Sequence, residues 1–180
     1  MLRNFTSEGI VLARKSYSEA DRILSILTRD LGRISVIAKG VRKPKSRKRG
    51  HLEVFNYFKF QAIQTKSIHL ITEAEVIDSF KQIRRDLRRV SLAYYFMEVT
   101  GKLSREHEKN PEFFELILNY LNRLKASKTL KSLRKEFVYD VLTLLGFWPK
   151  GKLLDNPDKV LEETLERKLS TLRVGKRILA

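Results

Sequence analysis

Residues 34–63 read ISVIAKGVRKPKSRKRGHLEVFNYFKFQAI. The segment opens on an alternating β-branched run, Ile34 to Ala38, and closes on a longer one, Leu52 to Ile63, both with the period of two that marks a half-buried strand. In the longer run Leu52, Val54, Phe58 and Phe60 share one face around Asn56, while Glu53, Phe55, Tyr57, Lys59 and Gln61 take the other. Between the runs stand seven Lys and Arg in the eleven residues from Lys39 to Arg49, with no acid among them. Like charge at that density cannot pack inside, and Gly40, Pro44 and Gly50 disfavour a helix. The stretch is therefore expected to project as a mobile loop between two strands.

Three further β-rich runs flank this segment: Ile10 to Ala13, Ile23 to Thr28, and Ile68 to Ile77. Turns are expected at Tyr17-Ser18-Glu19-Ala20-Asp21, at Arg29-Asp30-Leu31-Gly32, and at Thr65-Lys66-Ser67, which closes a hairpin. Five short strands with their longest gap between the third and fourth predict a small Greek-key β-barrel of the OB type over residues 1–79. Beyond residue 80 the apolar period becomes helical. Leu87, Val90, Tyr94, Met97 and Gly101 suggest one helix; Phe113, Ile117, Tyr120 and Leu124 follow an Asn110 cap and Pro111 in a second. A third starts near Thr129, turns Leu130, Leu133, Phe137, Val141, Leu144 and Leu145 inward, and stops at Gly146 with Pro149 beyond. Asn156-Pro157-Asp158 opens a fourth, carrying Val160, Leu161, Leu165 and Leu169. The fold class predicted is α+β, a barrel followed by an all-helical domain over residues 80–180.

The chain has 180 residues, a formal charge of +16, a pI near 10.2, 42% hydrophobic residues and four prolines, which describes a folded basic protein rather than a disordered tail. Residues 1–80 carry fifteen basic and eight acidic groups and residues 81–180 carry twenty-two and thirteen, so both halves are positive. Polyanions are the leading partner class. Cysteine is absent, which excludes disulfides, thiolate nucleophiles and sulfur-based zinc sites and leaves His51, His69 and His107 as soft ligands. No secretion signal or membrane-spanning run is visible in the sequence, so a cytoplasmic, nucleoid-associated protein without membrane contact is expected.

Cations beside a stacking surface suit single-stranded nucleic acid. Lys39, Arg42, Lys43, Lys45, Arg47, Lys48 and Arg49 would take phosphates, and Tyr17, Phe55 or Tyr57 would stack bases, although a ring in a strand is more often core. A second basic cluster, Lys81, Arg84, Arg85, Arg88 and Arg89, lies where the two modules meet. At a spacing of four, Arg84 with Arg88 and Arg85 with Arg89 would form neighbouring rows on a helix, either extending a phosphate track or forming the wet side of an amphipathic segment. The acid pairs Glu73/Glu75 and Glu19/Asp21 could in principle hold a divalent ion, but in so basic a chain they read better as partners for arginine. The histidines lack metal or nucleophile spacings and no phosphate-binding glycine loop is present. Neither a cofactor, a metal nor a catalytic residue is expected, and the chain is not expected to be an enzyme.

Taken in order, Tyr17-Ser-Glu-Ala-Asp-Arg22, Leu27-Thr-Arg-Asp-Leu-Gly32, Ile37-Ala-Lys-Gly-Val-Arg-Lys-Pro-Lys-Ser46 and Leu52-Glu-Val-Phe55 resemble the N-terminal signature of the bacterial DNA repair and recombination family RecO. Ala93-Tyr-Tyr-Phe-Met-Glu98 and Leu144-Leu-Gly-Phe-Trp-Pro149 resemble helices of the same family's α domain. The resemblance spans nearly the whole chain. It implies an OB-fold and a helical domain that bind single- and double-stranded DNA, anneal complementary strands and help load the RecA recombinase onto DNA covered by single-stranded DNA-binding protein. It also implies RecR as a partner, and an acidic C-terminal tail of single-stranded DNA-binding protein held by the helical domain. By the same resemblance Arg22, Lys39, Arg42, Lys43, Lys45, Arg47, Lys48 and Arg49 serve DNA. Many members follow the Gly-Phe-Trp-Pro-like stretch with a zinc-binding cysteine cluster; here Lys150 to Asn156 leads directly toward the last helix, as in a short, zinc-less variant. Two rival readings share the same charge pattern: an RNA-binding OB module of translation or ribosome assembly, and a protein adaptor gripping an acidic peptide.

Overall fold

In the computed structural model, which describes residues 4–65, 68–165, 169 and 171, the first strand β1 (Asn4–Tyr17) is the longest, at 14 residues. Its length closes the sheet. Asn4 to Ile10 pairs antiparallel with β4 (Tyr57–Ile63), whereas Gly9 to Tyr17 pairs with β2 (Asp21–Thr28), so one strand serves both edges. The change of partner occurs at Gly9, where an added Cβ would lie 2.5 Å from Ile26 Cγ2 and 3.2 Å from the Leu27 carbonyl oxygen. Just beyond, the register slips between Val11 and Ala13, a bulge that bends the strand round the barrel.

β3 (Gly32–Ala38) pairs with β2, and β4 pairs with β5 (His69–Asp78). A short parallel contact, Val36 to His69 and Ile37 to Leu70, joins β3 to β5 and completes a closed barrel in the order β1-β2-β3-β5-β4. This is the five-stranded OB arrangement expected from the sequence. β3 alternates strictly, with Gly32, Ile34, Val36 and Ala38 buried, and its inward residues meet Leu24, Ile26, Phe58, Phe60 and Ala62 in the interior. Burying each such aliphatic side chain contributes about 1.5–3 kcal/mol before entropy.

The fourth strand departs from expectation because it begins at Tyr57 rather than at Leu52. Leu52, Val54 and Phe55 are buried from a turn instead, and Phe55 has a left-handed φ of 58°. Of the predicted turn at Thr65-Lys66-Ser67, Lys66 and Ser67 lie outside the described residues.

Among the described residues five helices follow: α1 (Lys81–Arg84), α2 (Leu87–Leu103), α3 (Pro111–Ala126), α4 (Leu130–Leu144) and α5 (Pro157–Leu165). The Asn110 side chain accepts a hydrogen bond from Phe113 N at 2.9 Å, with Pro111 and Glu112 in the first turn, as an N-cap should. Gly146, at φ 79°, ends α4, and the Asn156 side chain accepts from Lys159 N at 3.2 Å at the head of α5. Leu169, expected on that last helix, is buried but outside it, and residues 166–168 lie outside the described residues. Sequence periodicity misses α1 and marks α2 on residues of which only some face the core: Met97 is buried and Val90 packs against the core. Leu87 and Tyr94 are exposed, whereas Leu92, Ala93, Phe96 and Val99 enter the core. Leu144 likewise sits at the surface. Phe96 stacks on Phe137 with centroids 4.0 Å apart, and Tyr120 meets Phe137 edge-on at 5.2 Å, which pins α2, α3 and α4 together.

Helices and barrel are joined by named contacts. Tyr57 meets Phe114 edge-on, Arg29 pairs with Glu115 at 2.9 Å, and Lys125 pairs with Asp78 at 2.5 Å. After α2 the chain folds back on β3: Arg33 Nε donates to the Ser104 carbonyl at 3.2 Å, and His107 N donates to the Arg33 carbonyl at 2.9 Å.

Candidate nucleic-acid interface

The basic stretch occupies the gap between β3 and β4, where its position was expected, but it is not a free arm. Successive turns fold it: Lys43 N donates to Gly40 O at 3.1 Å, Ser46 N to Lys43 O at 3.0 Å, and His51 N to Lys48 O at 3.1 Å. Its start is held by Gly40 N donating to Asp21 Oδ1 at 2.8 Å and by Arg42 N donating to Ala20 O at 2.9 Å, with Val41 buried between. Asn56 holds its end by donating to the carbonyls of Gly50 at 3.0 Å and His51 at 3.1 Å. The expectation of a mobile loop is therefore corrected to a pinned run of turns. Alternating cations with Gly and Pro excluded a helix but carried no sign of these pins.

Most of its cationic side chains nonetheless reach solvent. Lys39, Arg42, Lys43, Lys45, Arg47 and Arg49 are exposed, and Lys48 is half-buried, with its Nζ donating to the Ile71 carbonyl at 3.3 Å. Among the described residues none of the seven forms an ion pair, while carboxylates elsewhere are engaged: Glu53 by Arg14 and Arg22, Glu8 and Glu115 by Arg29, Asp78 by Lys125, Glu136 by Arg123, and Asp158 by Arg134. Positive charge is thus left uncompensated where the turns project, which is the arrangement that releases counterions from a polyanion.

Several sequence candidates are relocated. Arg22 lies 3.4 Å from Glu53 with its side chain only 14% exposed, so it is an internal partner rather than a free phosphate ligand. Phe55 is 0% exposed, beneath the Arg84 guanidinium at 3.9 Å, and has no face for a base. Tyr57 is committed as well: its hydroxyl donates to Glu8 and accepts from Arg29 Nη2 at 3.2 Å, and burial followed by the Glu8 contact raises its pKa. Tyr17, at the end of β1, is 51% exposed and heads the turn whose Ser18 carbonyl accepts from Arg42 Nη1 at 3.4 Å. It is the ring of the three that a base can reach.

The second cluster also divides. The helix breaks at Arg85 and Asp86, so the expected rows at a spacing of four do not form. Arg84 donates to backbone and to Asn56, and Arg89 lies 3.5 Å from Asp86 and donates to the Leu124 carbonyl, which ties both down. Lys81, Arg85 and Arg88 remain exposed without ion pairs among the described residues. Of the acid pairs, Asp21 caps Gly40, while Glu73 and Glu75 are exposed on β5 and, among the described residues, lack the arginine partners expected for them. Among the described residues no group of three or more His, Asp or Glu could hold a metal ion, and no helix is long and apolar enough to cross a membrane. A surface groove between α3 and α4 is lined by Glu112, Glu115, Asp140 and Tyr139 with Lys150 at its edge, a lining that opposes anions.

Residues 1–80 match the family model for the N-terminal part of recombination protein O, and residues 84–151 match that for its C-terminal part. Over 162 residues, 90% of this chain and 64% of the relative, the sequence is 36% identical to the DNA repair protein RecO of Dehalococcoides mccartyi strain CBDB1. It is 33% identical over 148 residues to that of Roseiflexus sp. strain RS-1, covering 82% of this chain and 52% of the relative. With the protein of the same name from Myxococcus xanthus strain DK1622 it shares 31% over 150 residues, 83% and 62% of the two lengths. The chain spans about half to two thirds of the length of these curated relatives.

Proposed function

The chain belongs to the RecO family, and from that premise we propose that it is a DNA-binding mediator of recombinational repair, working through the cationic turns between β3 and β4. One observation carries this reading: among the described residues the seven cations from Lys39 to Arg49 form no ion pair, while Glu8, Glu53, Glu115 and Glu136 are each bound to arginine. Phosphates would take Lys39, Arg42, Lys43, Lys45, Arg47, Lys48 and Arg49, with Tyr17 as the adjoining stacking ring and Lys81, Arg85 and Arg88 extending the charged surface.

No catalytic residue is required for such work. Repulsion between phosphates is the obstacle to bringing complementary strands together, and a multivalent cationic surface that displaces counterions lowers it regardless of sequence. Single strands and duplex both present that backbone. Annealing, recombinase loading on coated DNA, and partnership with RecR and with the acidic tail of single-stranded DNA-binding protein belong to the same reading through the family. So does a cytoplasmic, nucleoid-associated place of action.

A filter-binding competition at matched salt distinguishes this from an RNA-binding OB module. Oligothymidylate DNA is expected to displace a structured RNA; preferential retention of the RNA would overturn the assignment.

A further inference from the structure

The sequence offers Arg84 as a phosphate ligand; in the structure the residue keeps solvent exposure, yet its Nε and Nη2 are both committed to the protein. Nε donates to the Ser79 carbonyl at 2.9 Å; Nη2 donates to the Val54 carbonyl at 2.9 Å and to Asn56 Oδ1 at 2.8 Å. The plane of the group covers the Phe55 ring at 3.9 Å. Burial disfavours its charge and lowers its pKa, against the pull of Tyr94 and Glu53.

What it holds leads directly to the basic turns. Asn56, 1% exposed, uses the other end of its amide to bind the carbonyls of Gly50 and His51, the two residues that follow Arg49. His51 in turn accepts from Val76 N through Nδ1 at 3.0 Å, which fastens the same point to β5. Phe55, between the two anchors, keeps a positive φ of 58°, a conformation that a bulky residue adopts only where its surroundings enforce it. An unbroken path therefore runs from α1, through Asn56, to the end of the cationic run.

We infer that Arg84 is a positioning residue for nucleic-acid binding: it does not touch phosphate, but fixes the end of the Lys39 to Arg49 turns through Asn56 and Phe55 so that their cations are presented as an ordered array. Arginine suits this place because three donations in different directions and a flat face over a ring need a planar fork; a lysine ammonium supplies neither. Ordering the turns before binding removes part of the entropy that a loose loop would lose on the polymer. The inference rests on the reading of those turns as the DNA surface.

The test uses the whole chain and oligothymidylate, with affinity followed across salt and with amide hydrogen exchange. R84K and R84Q are both expected to weaken binding by about fivefold, with the salt slope unchanged, and to speed exchange locally at residues 50–56. N56D, which keeps an acceptor for Arg84 but removes the donor to Gly50 and His51, is expected to do the same. R88Q, at an exposed cation of the same segment, should instead reduce the slope by about 0.7. Wild-type binding by R84K, with a reduced slope in R84Q, would mean direct phosphate contact and overturn the inference. So would faster exchange throughout β2 and β3, which would make the residue one of general stability only. If K43Q, K45Q, R47Q, K48Q and R49Q together leave binding intact, the reading of the turns fails. If they weaken binding and the Arg84 variants do not, only the positioning role fails.

Discussion

Asn56 decides where the fourth strand starts. In the sequence it is a lone polar residue on the apolar face of an alternating run, and the alternation through Leu52 to Gln61 reads as uninterrupted strand. Its buried amide instead binds Gly50, His51 and Arg84, and the peptide before it turns left-handed at Phe55. Period-two patterns cannot register a positive φ, so Phe55 reads as an outward ring and is a core residue. His69 is a second residue whose role needed coordinates. Its ring packs edge-on against Phe5 at 5.3 Å and lies 6.3 Å from His107, with Nδ1 buried and unbonded. Burial, and then the His107 charge, lower its pKa from 6.5, so the unfolded chain binds this proton more tightly than the folded one. Stability present at neutral pH is lost as pH falls through about 6.5 and is fully lost below the depressed folded value. Melting curves between about pH 7.5 and pH 5.5 should show a smaller acid-induced fall in midpoint for H69F than for the unaltered chain; equal falls would exclude His69 as the sensitive group.

Among the elements, all five strands were legible because branched and aromatic residues cluster between turn residues, and the Asn110, Gly146 and Asn156 boundaries were legible because caps need particular side chains. The length of β1 was not, since its first and last residues are polar and exposed, and only pairing with both β2 and β4 makes them strand. The four-residue α1 and the segment after α2 were also invisible, because local periodicity does not report a chain laid against another element. That segment docks at Gly32, which has φ 71° and sits so close to Glu108 that an added Cβ would lie 2.2 Å from its carbonyl oxygen. Gly32→Ala combines a left-handed backbone with a backbone clash and should cost about 2 kcal/mol or more. Urea unfolding measures the loss, and hydrogen exchange at the His107 amide, bonded to Arg33 O, should rise with it; an unchanged unfolding midpoint would show that the docking contributes nothing.

For the molecule as a whole, the sequence announces an excess of positive charge but not where it is left uncompensated. Arg14, Arg22, Arg29, Arg123, Lys125 and Arg134 resemble the loop cations in one dimension, yet each meets a carboxylate brought from a distant part of the chain. The acid-free run from Lys39 to Arg49 was the legible part of the candidate interface; the diversion of Arg22, Arg84 and Arg89 to internal work was not, because their partners lie far away in sequence or on the backbone. The charge asymmetry that remains is what the proposed DNA chemistry depends on. Its most direct test is the salt dependence of single-stranded DNA binding by the chain carrying Lys43→Gln, Lys45→Gln, Arg47→Gln, Lys48→Gln and Arg49→Gln. Binding should weaken on all sequences alike, with a slope smaller by about 0.7 for each phosphate the variant no longer neutralises. The unfolding midpoint should move little, because four of the five charges are exposed and without ion pairs among the described residues, and Lys48 gives up one hydrogen bond to the Ile71 carbonyl. A slope identical to that of the unaltered chain would contradict the account.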